Sequence, residues 1–222
     1  MTSLESLRSH FLSEVYEDYR EKTIIDPTQK IITRDANAKI KRLVFHCADE
    51  EGWPPERLSS FFVYERRFPI CAYHYYVTSK VVWHMVGENL VTYHAAPHNS
   101  DTVSFSIDYF ATRDDINKVA LRPELYENAI RTAAFLCMKF HVLPKNVFGH
   151  RELFGTGWIK GKNDQPILRK TCPGLAINLD VFRLEVGRRV QNGLNHLYNA
   201  GLTVDGVVGP KTVAAYGLLE KY

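Results

Sequence analysis

The sequence predicts an α/β fold, with a central β-sheet flanked by helices and a small helical segment at the C-terminal end. Several short apolar runs before residue 110 have the pattern of strands. A long amphipathic pattern that begins at Pro123 has the period of a helix, and another short apolar run follows it. Strands before and after a long helix indicate a sheet that is covered on at least one face.

Short apolar runs mark the candidate strands. The runs at 41–46, 72–78 and 81–85 are typical of buried strands. Residues 103–109 alternate Val, Phe, Ile and Tyr with Ser, Ser and Asp, which predicts a strand with one buried face. The run at 146–150 lies beyond the long helix. The sequence therefore predicts strands on both sides of that helix.

Amphipathic patterns mark the candidate helices. Apolar residues recur at helical spacing within residues 1–22, which predicts a helix that packs on the main domain. Pro123 suits a first helical position, and an apolar stripe continues from it to Phe140. Further helices are predicted at 181–198 and 212–219. Residues 151–174 are rich in Gly and Pro, which predicts a long loop of the kind that often carries function.

Length and composition exclude several classes of protein. The chain has 222 residues, a net charge of +3 and 45% hydrophobic residues, which is typical of one globular domain with a small appendage. This charge is too weak to indicate nucleic acid as a partner. No apolar run approaches the roughly 18 residues of a membrane helix, so we expect no membrane insertion. The N-terminus lacks the basic and apolar regions of a secretory signal, so we expect the chain to stay in the cytoplasm until another agent releases it.

Three residues have the types and positions expected of a metal site. His46 and His150 each end a short apolar run, which places both at strand ends, where sheet proteins collect their functional side chains. Cys172 lies in the Gly- and Pro-rich loop. Two imidazoles and one thiolate form the ligand set of a catalytic zinc ion with one open position. The spacing alone leaves packed core histidines as the alternative.

Five sequence blocks resemble, in order, the type 2 N-acetylmuramoyl-L-alanine amidases. This family includes amidase-type phage endolysins and the peptidoglycan recognition proteins. The blocks are Leu-Val-Phe-His-Cys-Ala at 43–48, Phe-Pro-Ile-Cys-Ala-Tyr-His-Tyr at 68–75, the segment 86–99, Val-Phe-Gly-His-Arg-Glu at 147–152 and Lys-Thr-Cys-Pro-Gly at 170–174. Together they cover about 41–183. The resemblance implies a mixed sheet flanked by helices.

The resemblance also implies a catalytic site. One Zn²⁺ would be held by His46, His150 and Cys172, where it lowers the pKa of a bound water toward about 7. Lys170 would bring a positive charge to the oxygen that becomes negative in the tetrahedral intermediate. Tyr73 would hydrogen-bond the attacking water or the substrate oxygen. From composition alone, Lys170 would be interpreted as a solvated loop residue and Tyr73 as a core residue.

Other positions follow the resemblance less closely. His94 and Asn99 match a segment with substrate-side groups, so both are expected to bind substrate. Some family members use a glutamate where Phe110 stands here, so the chain resembles the branch that uses tyrosine. Asp108 replaces a residue that is usually glycine. The remaining cysteines are expected to be buried thiols: Cys47, Cys71 and Cys137.

The C-terminal segment has a resemblance of its own. Residues 190–212 resemble the helical peptidoglycan-binding module at the ends of phage and bacterial wall hydrolases, although the segment is shorter than that module. A helical cap on the core is the alternative. The predicted organisation is an N-terminal helix and linker at 1–40, a zinc amidase domain at 41–183 and a peptidoglycan-binding-like segment at 184–222.

These resemblances predict a monomeric zinc hydrolase whose partner is bacterial peptidoglycan. It would cleave the amide bond between N-acetylmuramic acid and L-alanine, as a phage or prophage endolysin. Two alternatives stay open: a non-catalytic peptidoglycan-binding protein of the same fold, and a cytosolic amidase that recycles muropeptides. The retained site residues disfavour the first, and the wall-binding-like segment disfavours the second.

Overall fold

The computed structural model describes residues 4–117, 119–153 and 170–219, together with the backbone of 158–160 and 166–168. Strands β1 to β10 are Tyr16–Asp18, Ile32–Thr33, Arg42–Cys47, Tyr75–Val77, Val82–His84, Leu90–Val91, Thr102–Ile107, Val147–Gly149, Trp158–Lys160 and Pro166–Leu168. Helices α1 to α7 are Leu4–Leu12, Pro55–Ser60, Ala111–Asn117, Pro123–Lys139, His150–Leu153, Leu179–Tyr198 and Pro210–Ala215. Short 3₁₀ turns occupy Arg20–Lys22, Asn99–Asp101, Pro144–Asn146 and Tyr216–Leu218, and Phe61–Glu65 is a π-helical turn.

A mixed sheet forms the centre of the fold. Within the described residues it has six strands in the order β1-β5-β4-β7-β3-β8. Strands β4, β7, β3 and β8 are parallel to their neighbours in that series. Strand β5 is antiparallel to β4, and β1 is parallel to β5. The predicted α/β class, with helices against a mixed sheet, is confirmed.

The two faces of this sheet differ in chemistry. Val103, Phe105 and Ile107 of β7 belong to the main core, against which α1, α4 and α6 pack. The sequence predicts that the serine face of β7 is open, but Ser104 and Ser106 are completely buried. The reason is that a second apolar cluster, which includes Leu58, Phe62 and Tyr73, covers the other face of the sheet.

The large helices follow the predicted pattern. Helix α4 begins with Pro123 at its first turn and buries its apolar stripe, as expected. Helix α6 begins two residues before the predicted start, at Leu179. The side chain of Asn178 accepts hydrogen bonds from the backbone N–H groups of Asp180 and Val181, which caps this helix.

The N-terminal helix is shorter than the sequence predicts. It ends at Leu12, and Tyr16–Asp18 pair in parallel with Val82–His84 as the edge strand β1. The Tyr16 hydroxyl lies 2.9 Å from Nδ1 of His84, which adds a side-chain contact to this pairing. Tertiary pairing with the sheet therefore overrides the local helical pattern.

The predicted loop at 151–174 contains regular structure. Helix α5 occupies its start, and β9 and β10 form an antiparallel pair inside it. Three glycines on which that prediction depends lie outside the described residues: Gly155, Gly157 and Gly161.

The C-terminal segment packs on α6. The Gln191 side chain donates from Nε2 to Oδ1 of Asp205 over 2.9 Å and accepts at Oε1 from the Gly206 N–H over 2.7 Å. The Tyr216 hydroxyl donates to the carbonyl oxygen of Val142 over 3.2 Å, which links the segment to the main core. The predicted boundary at 184 falls inside the continuous helix α6. The division into domains and the wall-binding role stay predictions.

No helix among the described residues combines the length and the apolar character that a bilayer span requires.

Replacement of Gly187 tests the contact between α6 and the C-terminal segment. A Cβ at Gly187 would lie well inside van der Waals contact with the carbonyl oxygen of Gly206. We expect Gly187→Ala to lower the free energy of unfolding by about 1–3 kcal/mol in urea denaturation, because the segment must shift. The control is Asn192→Ala at an exposed position of the same helix, which should change stability by less than about 0.5 kcal/mol. Equal stability of the two variants would contradict the packing.

Candidate active site

The register of β3 and β8 brings two histidines together. Phe45 pairs with Gly149 in this parallel pair of strands. His46, the next residue of β3, and His150, the first residue of α5, therefore lie side by side at the carboxyl ends of these two strands. Their ring centroids lie 4.4 Å apart.

Arg151 holds the loop that carries Cys172. Its backbone N–H donates to the carbonyl oxygen of Cys172 over 2.9 Å, and its guanidinium donates to the carbonyl oxygens of Thr171, Gly174 and Ile177. Gly174 has φ +131°, a conformation that favours glycine, and a Cβ there would lie 2.9 Å from a ring carbon of Tyr109. These contacts place Sγ of Cys172 3.6 Å from Nδ1 of His46.

The three predicted ligands fit a zinc ion. One donor atom from each of His46, His150 and Cys172 lies within 4.8 Å of the others. In tetrahedral zinc sites, bond lengths of about 2.1 Å to nitrogen and 2.3 Å to sulfur put the two donors about 3.6 Å apart. The Sγ–Nδ1 distance of 3.6 Å agrees with that geometry. Nitrogen and thiolate donors are also the ligands that zinc prefers.

The surroundings of Cys172 favour its thiolate. Burial by itself would raise the pKa of this thiol, but hydrogen bonding with Cys47 and the imidazoles of His46 and His150 outweigh burial and bring the pKa well below its usual range. The backbone N–H of Cys47 donates to Sγ of Cys172 over 3.3 Å. The hydrogen bond with Cys172 and burial raise the pKa of the Cys47 thiol, so Cys47 stays protonated. A thiolate is the form that binds a metal.

The candidate ligands lie at the floor of an open cavity of about 640 Å³. Tyr73, Lys170 and His94 also line it. Aromatic side chains form one wall, which the sequence analysis did not identify: Phe61, Phe62, Phe68 and Tyr93. Phe61 and Phe62 lie in the π-helical turn, a local structure that is often found at functional sites. The signal available in the sequence was the segment Phe-Phe-Val-Tyr at 61–64, which has three aromatic residues.

Tyr73 and Lys170 both reach the cavity. The ring centroid of Tyr73 lies 5.1 Å from that of His46, and the Tyr73 hydroxyl lies 3.4 Å from the carbonyl oxygen of Cys47. Burial, together with the nearby Cys172, raises the pKa of Tyr73 well above its ordinary value, so the hydroxyl keeps its proton. Lys170 is exposed to solvent at the cavity wall.

His94 and Asn99 have different surroundings. Nδ1 of His94 lies 3.2 Å from Nε2 of His46, and Nε2 of His94 lies 3.0 Å from Oγ1 of Thr102. Asn99 is not among the described residues that line the cavity. Its Oδ1 accepts from the backbone N–H groups of His94 and Ala95 over 3.2 and 2.6 Å. The substrate-binding roles of His94 and Asn99 stay predictions.

Phe110 and Asp108, which depart from the family pattern, both contact other residues. The guanidinium of Arg113 lies 4.9 Å from the ring centroid of Phe110. Oδ1 of Asp108 accepts from the Gly52 N–H and from the Tyr76 hydroxyl over 2.8 and 2.7 Å. The prediction of buried thiols is confirmed for Cys47, Cys71 and Cys137.

Several solved structures share this architecture, among them the following three. The N-acetylmuramoyl-L-alanine amidase LysC from Clostridium intestinale URNW matches with a TM-score of 0.55 and 16% identity, over 78% of this chain and 95% of its own. The Ph2119 endolysin from a Thermus scotoductus MAT2119 bacteriophage matches with a TM-score of 0.56 and 16% identity, over 77% and 98%. A Drosophila PGRP-LB variant in complex with tracheal cytotoxin matches with a TM-score of 0.55 and 14% identity, over 78% and 95%. These similarities show a common fold.

The family comparison is more specific. No curated protein matches the chain. The family model described as N-acetylmuramoyl-L-alanine amidase matches residues 36–175, which is more than half of the chain. This range includes all three candidate zinc ligands, Tyr73 and Lys170. The chain therefore belongs to the N-acetylmuramoyl-L-alanine amidase family.

Proposed function

We propose that this protein is a zinc-dependent hydrolase of the amide bond between N-acetylmuramic acid and L-alanine in bacterial peptidoglycan. One observation carries the proposal: His46, His150 and Cys172 converge at the floor of an open cavity that Tyr73 and Lys170 also line. Structural ligands are usually enclosed, whereas a catalytic site keeps three protein ligands and an accessible position.

The side chains around this floor have separable roles in the proposed reaction. When bound, zinc supplies a Lewis acid and a water of lowered pKa. The protonated Tyr73 hydroxyl donates a hydrogen bond to the substrate oxygen. The ammonium of Lys170 stabilises the negative charge that develops on the same oxygen in the tetrahedral intermediate. The thiolate of Cys172 would hold the metal as an anionic ligand, which limits the net positive charge of the centre.

The cavity walls suit a glycopeptide. The aromatic wall offers apolar rings against which the faces of sugar rings can pack. Arg66 lies at this wall, where its guanidinium is 5.8 Å from the ring centroid of Phe61. Arg66 and Lys170 supply the positive charges that a peptide stem with carboxylates requires. The similar PGRP-LB variant is in complex with tracheal cytotoxin.

We further propose that the enzyme acts in host cell lysis as a phage or prophage endolysin. One of the similar structures is a bacteriophage endolysin, which supports this role. The resemblance of the C-terminal segment to wall-binding modules supports it as well. Peptidoglycan would then be the physiological partner.

Incubation with two substrates tests the reaction and the role. Purified protein is added to intact sacculi and to soluble anhydro-muropeptide, with and without a chelator, and free L-alanyl peptide is measured. We expect release from sacculi that the chelator abolishes. Release from the soluble substrate alone would favour a recycling amidase. Binding to sacculi without release from either substrate would contradict the enzymatic proposal and favour a binding protein.

Zinc content tests the ligand assignment. We expect Cys172→Ala to lose bound zinc, because the anionic donor is removed, while Cys137→Ala keeps about one zinc ion per chain. Cys137 is a matched control because it is buried in α4 and lies outside the cavity lining. The measurement is elemental analysis after dialysis. Comparable zinc in the two variants would refute the role of Cys172.

Replacement of Lys170 separates catalysis from metal binding. We expect Lys170→Ala to keep its zinc but to lose roughly 10²- to 10³-fold in kcat, because the charge opposite the developing oxyanion is gone. The control is Lys145→Ala. Lys145 is exposed and lies just before β8, at the amino end of that strand, whereas the candidate ligands lie at the carboxyl end. Unchanged kcat in Lys170→Ala would show that this lysine is only a solvated loop residue.

A further inference from the structure

We infer that His94 is a positioning residue that fixes the tautomer of His46, so that the Nδ1 lone pair of His46 points to the metal site. This role differs from the substrate contact that the sequence predicts for His94. It rests on the zinc site of the proposed function. A chain of three hydrogen bonds carries the inference, and it runs from the carbonyl oxygen of His98 to the ring of His46.

The direction of the chain is set at the carbonyl oxygen of His98. Oγ1 of Thr102 lies 2.7 Å from this oxygen. Two oxygens approach this closely only when a proton lies between them, and a carbonyl oxygen has none to offer. The Thr102 hydroxyl therefore donates its single proton to His98. Its lone pairs remain, so it acts as an acceptor toward Nε2 of His94, which lies 3.0 Å away.

The direction of hydrogen-bond donation at Thr102 then determines which nitrogen is protonated in both imidazoles. Because Nε2 of His94 donates, the neutral ring has its lone pair on Nδ1. This Nδ1 lies 3.2 Å from Nε2 of His46, which must therefore carry the proton between them. In a neutral His46 the remaining lone pair is on Nδ1, the atom that lies 3.6 Å from Sγ of Cys172. The tautomer required of a metal ligand is thus imposed by groups outside the ligand set.

The surroundings hold this chain in place. The exposed fractions of His46, His94 and Thr102 are 1%, 7% and 0%, so solvent offers little competition for these hydrogen bonds. The planes of the two imidazoles are inclined at 84°, with centroids 5.3 Å apart. Asn99 accepts from two N–H groups at the start of the loop that contains His94. The position of His94 is therefore fixed by backbone as well as by side-chain contacts.

The tautomers can be read in the metal-free protein. We expect long-range ¹H–¹⁵N spectra of the ¹⁵N-histidine-labelled chain to show the Nε2–H form for both His46 and His94, with assignments from His46→Gln and His94→Gln. The Nδ1–H form at either residue would overturn the inference. The tautomers are measured in the wild-type chain, and the two variants serve only to assign its histidine signals.

Zinc affinity tests the consequence, with two matched pairs of variants. Thr102→Val removes the acceptor for His94, whereas Thr102→Ser keeps it. His94→Phe removes both nitrogens, whereas His94→Gln keeps one acceptor and one donor. In competition with a chromophoric chelator, we expect Thr102→Val and His94→Phe to bind zinc about 10- to 100-fold more weakly than the wild type. The serine and glutamine variants should stay close to the wild type.

Equal zinc affinity of folded Thr102→Val and Thr102→Ser would overturn the inference. Thermal melting monitored by circular dichroism establishes that each variant is folded. Neither the tautomer spectra nor the zinc affinity measures hydrolysis. The inference about His94 and the proposed function can therefore be contradicted independently. A chain that binds zinc with the expected tautomers but releases no peptide from sacculi would contradict the proposed function alone.

Discussion

The candidate site depends on the parallel pairing of β3 with β8. Because Phe45 is opposite Gly149, the two histidines that follow lie side by side, although they are 104 positions apart in the chain. A shift of one residue in this register would turn one ring to the other face of the sheet. The loop of Cys172 is tied to the same place, since the backbone N–H of Arg151 holds the Cys172 carbonyl. One strand pairing thus positions all three candidate ligands.

The two faces of the sheet have different roles, because one supplies the apolar core and the other carries part of the candidate site. The apolar face, with Phe45 and Phe105, packs on the long helices and supplies the core. The opposite face carries His46 and two buried serines, and a layer with its own aromatic cluster covers it. Buried polar groups are costly unless they are hydrogen-bonded, and this cost favours ordered contacts such as those of His46 with His94 and Cys172. The site therefore has a buried, hydrogen-bonded floor beneath an open cavity.

Charge at this floor is balanced by neighbours. Burial alone would favour the neutral thiol of Cys172, yet the hydrogen bonds from Cys47 and the adjacent imidazoles favour the thiolate. Burial also raises the pKa of Tyr73, so its hydroxyl keeps its proton. In the proposed reaction, the thiolate of Cys172 would bind the metal and the protonated hydroxyl of Tyr73 would donate to the substrate. Lys170, at the solvent side, adds the positive charge that the buried groups lack.

The sequence by itself determined the α/β class, the long helices and the three candidate ligands, because apolar periodicity and local motifs are written in consecutive residues. It also contained the motifs of the family resemblance, and the match of the family model to residues 36–175 confirms that resemblance. It misread residues 13–22 and the serine face of β7, since strand pairing and a covering layer are contacts between distant segments. Only the tertiary structure placed Cys47 beside Cys172, built the aromatic wall and set His94 behind His46. Such contacts join residues far apart in the chain, and no local pattern encodes them.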